Sequence, residues 1–175
     1  MALPQYIPRY TVDEYRSWPG DWELWQGIPV AMSPSADAVH QRIAGRIVRW
    51  LGNALDGAGC ELCQVYYELD WVVDDSTVLR PDVLVVCGEQ PTKFVEAPPQ
   101  LIVEVLSDST RDRDLVFKRA LYERCGVAFY LTVDPRSGWT QLLQLDEGGR
   151  YDDAPHREVQ LSSRCRLSLD QLSFF

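Results

Sequence analysis

The chain has 175 residues, 46% hydrophobic and 25% charged, with a formal net charge of −9. That length and balance suit one globular domain, read over residues 1–175, that can bury a real core. The negative charge argues against tight binding to nucleic acid by overall charge, which leaves only local basic patches or metal ions for that purpose.

No apolar run approaches the roughly 20 residues needed to cross a bilayer, so no membrane role is expected. The first residues lack the basic-then-apolar layout of a secretory signal, and a cytoplasmic location is expected. Five cysteines, an odd number, argue against a disulfide framework. Cys60 and Cys63 form a CxxC with no second metal-binding pair, so they read as small residues at the start of a strand rather than a zinc site.

In chain order, Thr11 and Glu14 stand at capping-box spacing and predict a short first helix. "DWELWQGIPVAMSP" reads as a hairpin around Gln26-Gly27, with Pro29 marking a sheet edge. "DAVHQRIAGRIVRWLGNALDGAG" is an amphipathic helix, with Val39, Ile43, Ile47, Trp50, Leu51, Ala54 and Leu55 on one face. Arg42, Arg46 and Arg49 lie opposite and read as a solvated face; Gly57 and Gly59 end the helix. "ELCQVYYELDWVV" predicts a long strand, followed by "VLRPDVLVV" and "LIVEVL". A helix spans about Arg111 to Cys125, with Ser109 or Thr110 as N-cap and Gly126 as its stop. "VAFYLTVD", "WTQLLQL" and "EVQLSSRCRLSL" supply further strands. The order predicts an α/β (α+β) fold, a mixed β-sheet with helices packed on its faces, preceded by an N-terminal helix and hairpin.

Several polar groups sit in apolar company. Asp82 follows Arg80-Pro81 and opens the run Val83 to Val86. Glu104 lies within Leu101 to Leu106, which reads as a central strand with apolar neighbours on both faces. On the following helix, Lys118 falls inside the arc of Leu115, Phe117, Leu121, Tyr122 and Cys125, with Asp114 one turn before it. His40 lies near the centre of the apolar arc of its helix, and Glu23 stands between Trp22 and Trp25. Taken singly, each reads as a satisfied core residue or a snorkelling ion pair. Together they suit one site: two or three carboxylates for a hard divalent cation, Mg²⁺ or Mn²⁺, and a lysine to offset phosphoryl charge. That set fits metal-assisted phosphodiester hydrolysis.

"RPD" at 80–82 followed by "IVEVLS" at 102–107 resembles the PD-(D/E)XK motif of restriction-endonuclease-like nucleases. With "YTVDEY", "WELWQG", "MSPSADAVHQ", "LRPDVLVV", "PPQLIVEVLSDSTRDRDLVFKRALYERCGV" and "YLTVDP", nearly the whole chain is similar to the Uma-type family within that superfamily, formerly a domain of unknown function. The resemblance implies a restriction-endonuclease-like core and divalent-metal-dependent cleavage of DNA. Asp82 matches the motif aspartate and Glu104 its second acid. The motif's lysine is due two residues after that acid, where Leu106 stands; Lys118 matches a lysine moved to the following helix. Glu23 matches a further metal ligand or water-orienting acid, and His40 a group that contacts phosphate or supports the ligands. A homodimer is expected of a nuclease that cuts palindromic sites, with some of the six tryptophans as candidate interface residues.

Two other readings fit the same residues. One keeps the fold without catalysis, as an inactive DNA- or protein-binding relative. The other uses Glu104 and Asp82 as an acid–base pair on glycosides without metal, for which Lys118 has no task.

Overall fold

Thr11 caps the first helix, α1 (Val12–Tyr15): its side chain accepts from the Glu14 backbone N–H while the Glu14 carboxylate accepts from the Thr11 N–H. The structure, a computed structural model, describes residues 7–32, 37–107, 111–154 and 157–169. The hairpin follows as β1 (Trp22–Trp25) and β2 (Ile28–Ala31), turned by Gln26 and Gly27 with φ of 52° and 82°. Both turn residues are left-handed, the geometry that matches strand twist in a two-residue hairpin. Glycine is the residue for the second place, because an added Cβ would lie 2.9 Å from Arg9 Cβ. β2, with Pro29 in it, is the sheet edge as expected.

Helix α2 (Ala38–Gly57) begins at Asp37, whose side chain accepts from the His40 N–H, and buries His40, Ile43, Ile47, Leu51 and Leu55. Val39, placed on the apolar face by spacing, is exposed. The stretch expected to be one long strand is two: β3 (Cys63–Tyr67) and β4 (Trp71–Asp74), which join different sheets. The break falls at Glu68, a non-glycine residue at φ 48°, a conformation that side-chain sterics disfavour and that ends regular pairing.

β5 (Thr77–Leu79) and β6 (Val83–Cys87) flank Pro81, and β7 (Leu101–Val105) is buried along its length. After β7 comes a helix with a π-helical segment, Arg113–Lys118, that continues as α3 (Arg119–Arg124). The proposed N-caps Ser109 and Thr110 lie outside the described residues. β8 (Phe129–Val133), β9 (Thr140–Leu145), β10 (Tyr151–Asp153), β11 (Glu158–Ser162) and β12 (Cys165–Ser168) complete the chain.

The main sheet has six strands in the order β10-β9-β8-β7-β6-β3. β7 and β8 are parallel, joined across the π-helical segment and α3, and the other pairs are antiparallel. A second sheet runs β2-β1-β5-β4, and β11 pairs β12. Ile43, Ile47, Leu51 and Leu55 of α2 pack on one face of the main sheet with Val83, Val85, Val103 and Val105. The other face carries Leu84, Ile102 and Tyr130 against Leu121 and Tyr122 of α3 and Trp71 and Leu79 of the second sheet. Burying each such aliphatic or aromatic side chain contributes about 1.5–3 kcal/mol. The fold is thus the expected mixed α/β sheet with helices on its faces, and Glu104 in β7 lies between them.

The cysteine expectation is overturned. Cys60 bridges Cys165 and Cys63 bridges Cys87, leaving Cys125 free. The first bridge ties the end of α2 to β12 across 105 residues of sequence. Closing a loop of that length removes on the order of 5 kcal/mol of unfolded-state freedom. An odd count does not exclude pairing; it leaves one thiol over.

Candidate active site

Asp82 sits where β6 leaves its pairing with β7: the last register pair is Val83 with Val103. There the Asp82 carboxylate replaces the missing strand, and its Oδ2 accepts the Val105 N–H at 2.7 Å. The same oxygen lies 3.1 Å from His40 Nε2. Helix α2 therefore delivers His40 to the end of β7 from one face of the sheet.

The opposite face delivers Lys118. Its Nζ lies 3.1 Å from Glu104 Oε1, 3.2 Å from Glu23 Oε1 and 3.8 Å from Asp114 Oδ1. Tyr122, one turn on, donates its hydroxyl to Glu104 Oε1 at 2.6 Å. Glu23 is fixed from the second sheet: the Arg80 N–H donates to its Oε1 at 2.7 Å, and Trp25 Nε1 to its Oε2 at 3.2 Å. Trp25 in turn stacks on Phe117, with ring centroids 4.1 Å apart. The π-helical segment widens the helix where it carries Asp114 and Lys118, an irregularity common at functional sites.

The electrostatics follow from burial and charge count. Side-chain exposure is 2% for Glu104 and 6% for Lys118. Burial pushes Lys118 down, but Glu104, Glu23, Asp114 and Asp82 outweigh it and hold the ammonium well above its usual range. Glu104 moves up, first because it is buried, with Lys118 opposing and the charges of Asp82 and Asp114 adding. Burial lowers His40, yet its hydrogen bond to Asp82 and the charges of Asp82, Asp37 and Glu68 raise it overall. The cluster thus holds more carboxylates than cations in a poorly solvated place, which calls for protons or a further cation.

The five residues singled out from the sequence accordingly form two linked groups. Asp82 and His40 make one; Glu23, Glu104 and Lys118 make the other, and Asp82 reaches it through its field on Glu104 and Lys118. Among the described residues no three of histidine, cysteine, aspartate and glutamate are grouped closely enough to hold a metal. Both oxygens of Glu23 are taken by protein donors. Asp82 Oδ1 and Glu104 Oε2 accept no hydrogen bond from the described residues. That donor set fits Mg²⁺, which binds through one or two carboxylates, keeps several waters and takes the rest from substrate phosphate.

The sequence model of the family described as "Uma2: Putative restriction endonuclease" matches residues 12–173. The chain belongs to that family. A crystal structure from Anabaena variabilis, described as a putative nuclease belonging to DUF820, superposes with a TM-score of 0.69 at 18% identity, over 91% of this chain and 94% of that one. The likeness establishes the fold. No curated protein matches the chain.

In this family member Leu106, where the motif's lysine is due, is buried, and its N–H donates to Val133 O. Lys118 reaches the same glutamate from the helix instead. Sequence reasoning gave no role to Tyr122, Trp25 or the Arg80 N–H. Tyr122 alone had a usable signal, since it stands four residues after Lys118 on the same arc. The Arg80 N–H depends on where β1 and β5 meet, a long-range pairing that no local pattern marks.

Proposed function

We propose that the chain is a metal-dependent endonuclease that hydrolyses phosphodiester bonds in DNA. The observation that carries this reading is the pairing of Lys118 with Glu104 in β7 while Asp82 accepts the N–H of the next residue, Val105, in a member of this family. Asp82 and Glu104 would hold Mg²⁺ or Mn²⁺ through their spare oxygens. Once bound, such an ion polarises the phosphoryl group and acidifies water.

The chain's own groups set that site up. Lys118 opposes the burial that favours the protonated form of Glu104 and offsets negative charge as it builds on the phosphoryl oxygens. Glu23 and Asp114 hold Lys118, and Tyr122 fixes the rotamer of Glu104. His40 donates Nε2–H to Asp82 and orients it. In the reaction the oxygen of water joins phosphorus and one P–O ester bond breaks. One proton goes to the leaving oxygen and one is lost from the new phosphate monoester. A homodimer belongs to the version of this proposal in which both strands of a palindromic duplex are cut.

The test is the nicking of supercoiled plasmid. The reading expects nicking by the wild type only with Mg²⁺ or Mn²⁺, and none by Asp82→Ala. Metal-independent nicking, or equal nicking by Asp82→Ala, would overturn it.

A further inference from the structure

Asp82 meets solvent in a cleft beside α2. Its side chain is 19% exposed and lines a cleft of about 230 Å³ between α2 and the end of β3. His40, Gly45 and Arg49 of α2 form one wall, and Tyr67 and Glu68 lie opposite. His40 is nine-tenths buried, and its Nδ1 has no hydrogen-bond partner among the described residues.

The middle of the cleft is largely apolar, lined by Ala44, Gly45 and Val48, and charge stands at its two ends. Glu68 stands beside Asp82, since the Glu68 N–H donates to Asp82 O at 3.2 Å, so that end is anionic. Arg49 stands nine positions beyond His40 on α2, about 13 Å along the axis at about 1.5 Å per residue. It forms no ion pair with the described residues. One end therefore suits a cation and the other a phosphate, spaced by a few nucleotides of one strand. The side chain of Tyr67 is bare, with the residue 66% exposed.

Between these ends lies Gly45. Glycine in a helix interior is destabilising relative to alanine, and no packing requires it here: an added Cβ would meet nothing within 4 Å. The empty space is on the cleft side, where a side chain would narrow the passage to Asp82.

The geometry points to this cleft as the groove for one unpaired DNA strand, with Arg49 on a phosphate flanking the scissile one and a base stacked on Tyr67. The inference rests on the nuclease reading and narrows its substrate from DNA to unpaired DNA, which includes the transiently melted stretches of a supercoiled plasmid. Charge decides between duplex and single strand. Duplex binders neutralise many phosphates at once, and a chain of net charge −9 with a single unpaired arginine in the cleft does not. Stacking needs few cations and no sequence match.

Anisotropy of a fluorescein-labelled 12-nucleotide single strand, in EDTA so that nothing is cut, tests this against the duplex of the same sequence. The single strand is expected to bind more tightly than the duplex. Arg49→Ala weakens it at least fivefold and lowers the salt slope by about 0.7. Gly45→Leu removes binding while the melting temperature holds or rises. Gly52→Leu, a helical glycine with equally open surroundings, and Arg42→Ala leave binding unchanged. Failure of the wild type to bind, duplex binding as tight, or parity of Gly45→Leu with Gly52→Leu would overturn the groove. If the strand binds as expected but metal brings no cleavage, the nuclease reading fails and the groove stands. If metal brings cleavage that Gly45→Leu does not slow, the groove fails and the nuclease reading stands.

Discussion

Lys118 Nζ lies 3.1 Å from Glu104 Oε1, both side chains almost wholly shielded from solvent, although the two residues come from a helix and a strand. Neither would be tolerated alone, because an unpaired buried charge costs several kcal/mol. Lys118→Met is therefore expected to cost about 3–5 kcal/mol at neutral pH, since Glu104, Glu23 and Asp114 lose their shared cation. Adding Glu104→Gln should restore part of the loss, and denaturant unfolding of the single and double variants measures it. Plasmid nicking should be absent from both. A Lys118→Met protein as stable as the wild type would mean that the ammonium is not paired as described.

Two bridges and one free cysteine make a sharp count. Protein purified without reductant and then denatured should show one reactive thiol, and after reduction five. Reduction should also lower the melting temperature, because the Cys60–Cys165 tie closes a long loop. Disulfides are rare in the reducing cytosol, so five thiols without reductant would favour the cytoplasmic location expected from the sequence, and one would oppose it.

Asp134 is held well below the usual carboxylate range. Burial opposes this, but hydrogen bonds from Arg111, Ser137 and the Arg136 and Ser137 backbone outweigh it. A depressed carboxylate stabilises the fold above its unfolded value of about 3.9 and ceases to do so as pH falls through the lower folded value. Asp134→Ala should thus cost about 2 kcal/mol at pH 7, and the deficit should shrink as pH drops below about 4. Urea unfolding at several pH values checks this; a deficit independent of pH would contradict the ionic role.

Much of the site was legible because local chemistry marked it. A glutamate amid Leu101–Leu106 and a lysine inside an apolar helical arc are costly anywhere else, and the structure joins them. His40 was marked in the same way and meets Asp82. What stayed hidden depended on distant pairings. The division of β3 from β4 at Glu68 follows from the sheets each strand joins, and the local run of β-formers gives no sign of it. The disulfides were missed because count and spacing carry no information on which strands lie side by side; Cys63 and Cys87 are register partners in β3 and β6. Arg49, read as part of a solvated stripe, is exposed; that it also lines a cleft depends on β3 ending opposite α2, which the helix pattern alone does not show.

The metal claim is tested most directly by calorimetric titration of Mn²⁺ into the wild type and into Asp82→Ala, each first shown to unfold cooperatively. The account predicts one binding event in the wild type, lost in Asp82→Ala. No heat of binding in the wild type, or the same isotherm in both proteins, would contradict it.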